Sequence, residues 1–179
     1  MYSVGHLVIS SLPYVSVLNR SQRLSRCDYC FQQLNSCPQV TKCDICDSVF
    51  YCCKECKEHD RRAHGYECEY LSGCCSDTVR LMMRLLGRQS QDNVGESLPD
   101  GSTRTLEDLL DHKDDIWQNN SLVEKVCQTY QKLEQCSFKH LPMFNEFLSL
   151  FGKVLINGFT VADLTSKNIA TGLYALFLQ

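Results

Sequence analysis

Apolar positions recur every three or four residues through the second half of this chain and gather in short runs near both ends, so helices are expected inside and strands at the flanks. Leu7-Val8-Ile9 and Tyr14-Val15-Ser16-Val17 predict two short strands hinged at Leu12-Pro13. Val79, Met82, Met83 and Leu86 hold helical spacing and are expected to stop at Gly87. Residues 88–102 carry turn formers without periodicity and read as an exposed loop. Thr105 with Asp108 resembles a capping box ahead of Leu106, Leu109 and Leu110, and Ser121 with Glu124 another ahead of Leu122, Val126 and Leu133. Pro142 suits the first turn of a further helix, whose stripe Phe144, Phe147, Leu148, Phe151 and Leu155 reads as core and ends at Asn157-Gly158. Phe159-Thr160-Val161 and Leu173-Tyr174-Ala175-Leu176-Phe177 predict closing strands, so the class is α+β.

The segment the periodicity skips, Cys27 to Cys68, spells Cys27-x2-Cys30, Cys43-x2-Cys46, Cys52-x3-Cys56 and His64-x3-Cys68. Those eight soft ligands suffice for two tetrahedral zinc ions. A stretch so polar has little side-chain mass to bury, so coordination is expected to supply most of its folding free energy. Each Cys-x2-Cys turn aims both sulfurs the same way and makes half a site. Val49-Phe50-Tyr51-Cys52 reads as a short strand ending on a ligand. Cys52-x3-Cys56 has helical spacing, so a helix start is expected there, with Lys54, Lys57, Glu58, Arg61 and Arg62 solvated. Spacing leaves two pairings open, sequential sites or a cross-brace. Cys53 competes with Cys52, and His59 less convincingly with His64. Cys37, Cys53, Cys74, Cys75, Cys127 and Cys136 are not assigned to metal.

Composition and charge narrow the class. Thirteen cysteines invite a disulfide reading, but the number is odd and the pairs are two or three residues apart. Met1 to Ser10 lacks the basic stretch of a secretory signal, and no run is long and apolar enough to span a bilayer. A reducing intracellular compartment, nucleus or cytoplasm, is therefore expected. The formal net charge is -3, and residues 27–68 hold five Lys or Arg against seven Asp or Glu. Such a surface suits a peptide better than a phosphate backbone, so protein ligands are expected and direct nucleic-acid binding is not.

The order C-x2-C, C-x2-C, aromatic-C-x3-C, x7-H-x3-C resembles the MYND zinc finger at all eight ligand positions. The resemblance implies a cross-brace: Cys27, Cys30, Cys52 and Cys56 on one zinc, Cys43, Cys46, His64 and Cys68 on the other, with peptide ligands that are often proline-rich. Beyond the finger, the chain resembles the Smyd family of SET and MYND lysine methyltransferases, in which a finger interrupts a split SET domain and a helical insert follows. Gly5-His6-Leu7-Val8-Ile9 to Pro13-Tyr14-Val15 looks like the SET strands leading into the finger, and Leu109-Leu110-Asp111-His112 like the insert. The closing match runs from Gly152-Lys153-Val154-Leu155-Ile156-Asn157-Gly158-Phe159-Thr160 through Gly172-Leu173-Tyr174. The implied division is SET-like strands at 1–26, finger at 27–68, helical insert at 69–156 and the start of the C-terminal SET portion at 157–179. By the same resemblance, His112, Asn157 and Gly158 would approach the methyl donor, S-adenosylmethionine.

Departures from the family shape the functional expectation. The family's Asn-His-Ser-Cys segment should follow Gly172-Leu173-Tyr174, but the chain ends at Gln179 first, and the family's glycine-rich opening is missing upstream of Met1. A fragment is therefore expected, with no catalytic residue assigned and no activity from these residues alone. Two functions stand: a zinc-binding protein-interaction module on a partial SET scaffold, or a protein-lysine methyltransferase of histone or other protein lysines whose catalytic remainder lies outside the chain.

Overall fold

The computed structural model describes residues 13–71, 75–91, 96–97 and 103–173, with 96–97 and 103–104 by backbone alone. The strand expected at Leu7-Val8-Ile9 and residues 174–177 of the last expected strand lie outside the described residues. In chain order the elements are strand β1 (Val15–Leu18), β2 (Thr41–Lys42), β3 (Phe50–Tyr51), helix α1 (Lys54–Gly65) and α2 (Asp77–Gln89). There follow β4 (Glu96–Ser97), β5 (Thr103–Arg104), α3 (Lys113–Trp117), α4 (Asn120–Gln135), α5 (Phe144–Asn157), β6 (Gly158–Ala162) and β7 (Asn168–Leu173). The mixture of helix and strand is the α+β class expected.

Strands from the two ends of the chain share one antiparallel sheet in the order β1-β7-β6. β1 pairs with β7 from Val15↔Leu173 to Leu18↔Ala170, so the cysteine-rich segment and the helices are inserted between sheet neighbours. The Val-Ser-Val-Leu run of β1 buries Val15, Val17 and Leu18, and β7 buries Ile169, Ala170 and Leu173, as β-branched residues on a covered sheet should. The β6–β7 turn is fixed by Asp163, whose Oδ1 accepts from the backbone of Thr165 at 2.9 Å and of Lys167 at 3.1 Å. Its other oxygen takes Arg26 Nη2 at 2.6 Å, tying the hairpin to the base of the first cysteine turn.

The main core joins α2, α4, α5 and the sheet through Met82, Met83, Leu85, Val126, Leu133, Phe147, Leu148, Phe151 and Leu173. Of the stripe expected on α5, Phe147, Leu148 and Phe151 are buried, whereas Leu155 is 37% exposed. α2 departs further from an amphipathic helix, because every residue from Val79 to Gly87 is buried, Arg80 and Arg84 included.

Gly87 does not stop α2, which continues to Gln89. It is needed for contact: a Cβ there would fall inside the Tyr66 ring, just beyond the end of α1. The expected loop at 88–102 begins as helix and contains half of a small hairpin, β4 pairing with β5. The Thr105–Asp108 box is present, with Thr105 N donating to Asp108 Oδ2 at 2.6 Å, but it opens only a 3-10 turn, Leu106–Asp108. α4 is capped two residues earlier than expected, by Asn119, whose Oδ1 accepts from Leu122 N at 3.2 Å; Ser121 already lies inside the helix. Pro142 likewise precedes α5 rather than opening it, with Met143 at the N-cap.

Candidate metal centre and its ionic support

Two cysteine turns, a short hairpin and one helix bring the eight donors together. In each turn the residue after the second cysteine is left-handed, Phe31 at φ 64° and Asp47 at φ 53°. Phe31 N donates to Cys27 O at 3.0 Å and Asp47 N to Cys43 O at 3.3 Å, closing each turn so that its thiols converge. β2 and β3 pair antiparallel from Thr41↔Tyr51 to Lys42↔Phe50, which sets Cys43 and Cys52 at opposite ends of a short ribbon, one for each group. Cys56 and His64 then project from α1 eight positions apart, two turns and hence one face.

The donor atoms fall into two groups, Cys27, Cys30, Cys52 and Cys56 in one and Cys43, Cys46, His64 and Cys68 in the other, each with all its atoms within 4.8 Å of one another. In the first, Cys30 and Cys52 sulfurs lie 3.5 Å apart and Cys52 and Cys56 3.4 Å apart. In the second, Cys43 and Cys68 sulfurs are 3.6 Å apart and Cys46 Sγ is 3.4 Å from His64 Nε2. Thiolates bound tetrahedrally to zinc stand about 3.8 Å apart, so both groups fit a zinc ion. The arrangement is the cross-brace. Cys53 caps α1 outside the first group, and His59 stacks on Tyr29 at 5.4 Å, outside the second. Among the described residues the cysteines are free thiols.

Thiol chemistry agrees with the fit. Burial raises the Cys52 and Cys68 thiols, each pushed up to about 12, and neighbouring sulfurs raise Cys68 further. Burial and crowding raise Cys56 as well. Burial also works against ionisation of Cys43, but the backbone N–H groups of Cys46 and Ile45 outweigh it and bring that thiol down to about 6. A cluster of this kind holds its negative charge readily only around a cation.

Behind the two groups lies a feature absent from the sequence reading. Asp28, between the first two cysteines, and Glu67, beside the last, are buried with Asp60, which stands on α1 midway between Cys56 and His64. Facing them are Arg80 and Arg84, one turn apart on α2. Arg80 Nη2 reaches Asp28 at 3.0 Å and Glu67 at 2.5 Å. Arg84 Nη2 reaches Asp28 at 2.6 Å, Glu67 at 2.7 Å and Asp60 at 3.2 Å, while its Nη1 donates to Ser16 O of β1 at 3.0 Å. Arg88, the next turn along, donates to Tyr14 O and covers the Tyr14 ring at 3.9 Å. One arginine stripe thus clamps the cysteine-rich segment to the sheet. The ionic cluster shares the finger's interior with the metal groups and an apolar patch of Leu34, Val49 and Tyr51.

Three carboxylates against two guanidiniums leave one negative charge over, and Asp60 carries the consequence. Burial raises its carboxyl to about 6 despite Arg84. Burial also opposes ionisation of Glu67, but Arg84 and Arg80 hold it well below the ordinary carboxylate range. Glu67 Oε1 lies 3.3 Å from His64 Nδ1. A proton shared there leaves Nε2 free as a metal donor, the usual outer-shell role of a carboxylate behind a histidine ligand.

The residues expected at a methyl-donor site lie outside the cysteine-rich segment, at the end of α5, the start of β6 and the stretch before α3. Leu110 and Asp111 run along α5, where a Cβ on Gly152 would strike the Asp111 carbonyl. Asn157 Nδ2 donates to Lys153 O at 2.9 Å and to Leu110 O at 3.5 Å. His112 follows two residues later at φ 46°, about half exposed, with Nδ1 2.9 Å from Asp115. Gly158 begins β6 with extended backbone.

The cross-braced pair of Cys/His groups inserted between strands of one sheet, together with the proteins this chain is similar to, supports a MYND-type zinc module on a partial SET scaffold. The chain's homologues are SMYD2 lysine methyltransferases. It is 28% identical over 180 residues to N-lysine methyltransferase SMYD2 of Homo sapiens, 30% over 183 residues to that of Gallus gallus, and 29% over 180 residues to SMYD2-A of Danio rerio. Each alignment covers 97% of this chain, which spans 40% of the length of those curated relatives. No family model matches the chain. No helix among the described residues is long and apolar enough to cross a membrane.

Proposed function

We propose that this chain is a zinc-dependent protein-binding module, with one zinc held by Cys27, Cys30, Cys52 and Cys56 and the other by Cys43, Cys46, His64 and Cys68. The cross-braced geometry of the two groups is the observation that carries this reading. The module is the segment 27–68, set between strand-bearing portions at 1–26 and 157–179, with a helical insert at 69–156. Its ligands are proteins or peptides, proline-rich ones among them: the segment's own acids outnumber its bases, and thiolate cages add further negative charge. The working compartment is the nucleus or cytoplasm, where thiols stay reduced. Titration of a fluorescent proline-rich peptide against zinc-loaded and chelated protein tests the role. Saturable binding that vanishes with the metal supports it, and equal binding by both forms defeats it.

A second reading rests on the lysine methyltransferases that align with 97% of this chain and on the Asn157–Leu110 contact. In a longer protein of that kind, His112, Asn157 and Gly158 would hold S-adenosylmethionine, which supplies the methyl group carried to a lysine of histone or another protein. Asn157 and the stretch before His112 are already tied by one amide, which suits two segments that hold a single ligand. Calorimetric titration with S-adenosylmethionine, repeated on Asn157→Ala, separates the readings. Binding lost in the variant favours the donor role, and no binding by the wild type leaves the interaction module alone.

A further inference from the structure

A fifth thiol stands beside the four of the first metal group. Cys53 adjoins Cys52 in sequence, and its sulfur lies 3.8 Å from Cys52 Sγ. Cys53 is the N-cap of α1 and Cys56 its third helical residue, and side chains at those two positions meet across the first turn of a helix, as in a capping box. Cys53 and Cys56 are also two residues apart, the spacing of the turns that supply Cys27 with Cys30 and Cys43 with Cys46. The Cys53 side chain makes no capping hydrogen bond and is half-buried, so the thiol is accessible. Nothing comparable stands beside the second group: no cysteine adjoins Cys43, Cys46 or Cys68 in sequence.

We infer that Cys53 is a reserve ligand of the first zinc site, able to take the place of Cys52 by a change of side-chain rotamer. The inference rests on the two-zinc reading above and extends it. A tetrahedral zinc ion can pass through five-coordination when a ligand is exchanged, and Cys53 supplies the fifth donor from within the chain. The Zn–S bond to Cys53 forms as that to Cys52 breaks, and the proton passes from the incoming thiol to the outgoing thiolate, so charge at the site is unchanged. The first site is therefore exchange-prone and the second is not. Any acceptor that draws zinc from this protein takes the first ion sooner.

Zinc per chain, counted by native mass spectrometry on the full chain, tests this directly. The wild type is expected to carry two ions, Cys53→Ser two, Cys52→Ser two, and the double variant Cys52→Ser/Cys53→Ser one. A wild-type count below two would overturn the two-zinc reading itself. Two ions in the wild type with one in Cys52→Ser would overturn the reserve ligand alone, as would one ion in Cys53→Ser, since Cys53 would then be a resident ligand. Should Cys52→Ser fail to fold, transfer of zinc from wild type and Cys53→Ser to a chromogenic chelator gives an independent reading. The fast phase is expected to slow several-fold in Cys53→Ser while the slow phase is unchanged, and identical traces would sink the proposal.

Discussion

Glu67 holds the imidazole of His64 with the same oxygen that receives Arg84, Oε1, at 3.3 Å from Nδ1 and 2.7 Å from Arg84 Nη2. One carboxylate therefore orients a metal donor and anchors the helix behind it. Glu67→Gln is expected to weaken zinc at the second group about 10- to 100-fold, the usual effect of losing an outer-shell partner. Because it also breaks the buried ion pairs that Glu67 makes with both Arg80 and Arg84, a loss of about 3–5 kcal/mol in stability is expected. Competition with a chelator of known affinity reads the first effect and urea unfolding of the zinc-saturated protein the second. An unchanged affinity would mean that His64 is oriented without its neighbour.

Cys43→Ser removes a donor that lies 3.6 Å from Cys68 Sγ in the second group. One zinc per chain should be lost, and amide protection should fall around His64 while the β1–β7 pairing persists. Hydrogen exchange with mass detection localises the change. Full removal of metal by a chelator should abolish far-ultraviolet signal from α1; a spectrum that did not move would show that coordination contributes little.

Gly87→Ala is expected to cost about 1–3 kcal/mol, in the range of overpacked interiors, because the added methyl group meets the Tyr66 ring. Tyr66→Ala should remove most of that penalty. A double-mutant cycle with no coupling between the two positions would contradict the contact.

Asp60 gives a pH dependence of definite sign. Its carboxyl, raised by burial to about 6, binds a proton more tightly folded than unfolded, so its protonation favours the fold as pH falls from about 7 towards 5. Ligand protonation destabilises the metal groups over the same interval. The wild type should therefore lose about 1 kcal/mol less than Asp60→Asn between pH 7 and pH 5. Urea midpoints at both pH values test the difference, and parallel losses would place Asp60 in its ordinary range.

The metal groups were legible in sequence because their donors come in local pairs, and soft-ligand spacing is a short-range property. The ionic cluster was not, although parts of it were in view. Asp60 falls four residues after Cys56 and four before His64, a helical face shared with two ligands, yet a single acid carries no local pattern that tells burial from solvation. Arg80, Arg84 and Arg88 recur every four residues in a helix otherwise apolar all round. Read as a stripe they would have pointed at an acidic partner, but the partner comes from three separate parts of the chain, Asp28, Asp60 and Glu67. The cap at Asn119 was missed for a simpler reason. Ser121-x2-Glu124 satisfied the same local pattern two residues later, and only the observed hydrogen bond decides between them.

The sheet pairing has a kinetic consequence. Asn19 at the end of β1 meets Asn168 at the start of β7 across 149 positions, and closing so long a loop is slow relative to local turns. The cysteine turns and α1 can gather their ions while β1 still lacks its neighbour. During synthesis β1 must wait for its β7 neighbour until the 149 positions that separate Asn19 from Asn168 have been made. Arg84 and Arg88, by gripping the backbone of Ser16 and Tyr14 from α2, give that waiting strand a place to rest well before β7 exists.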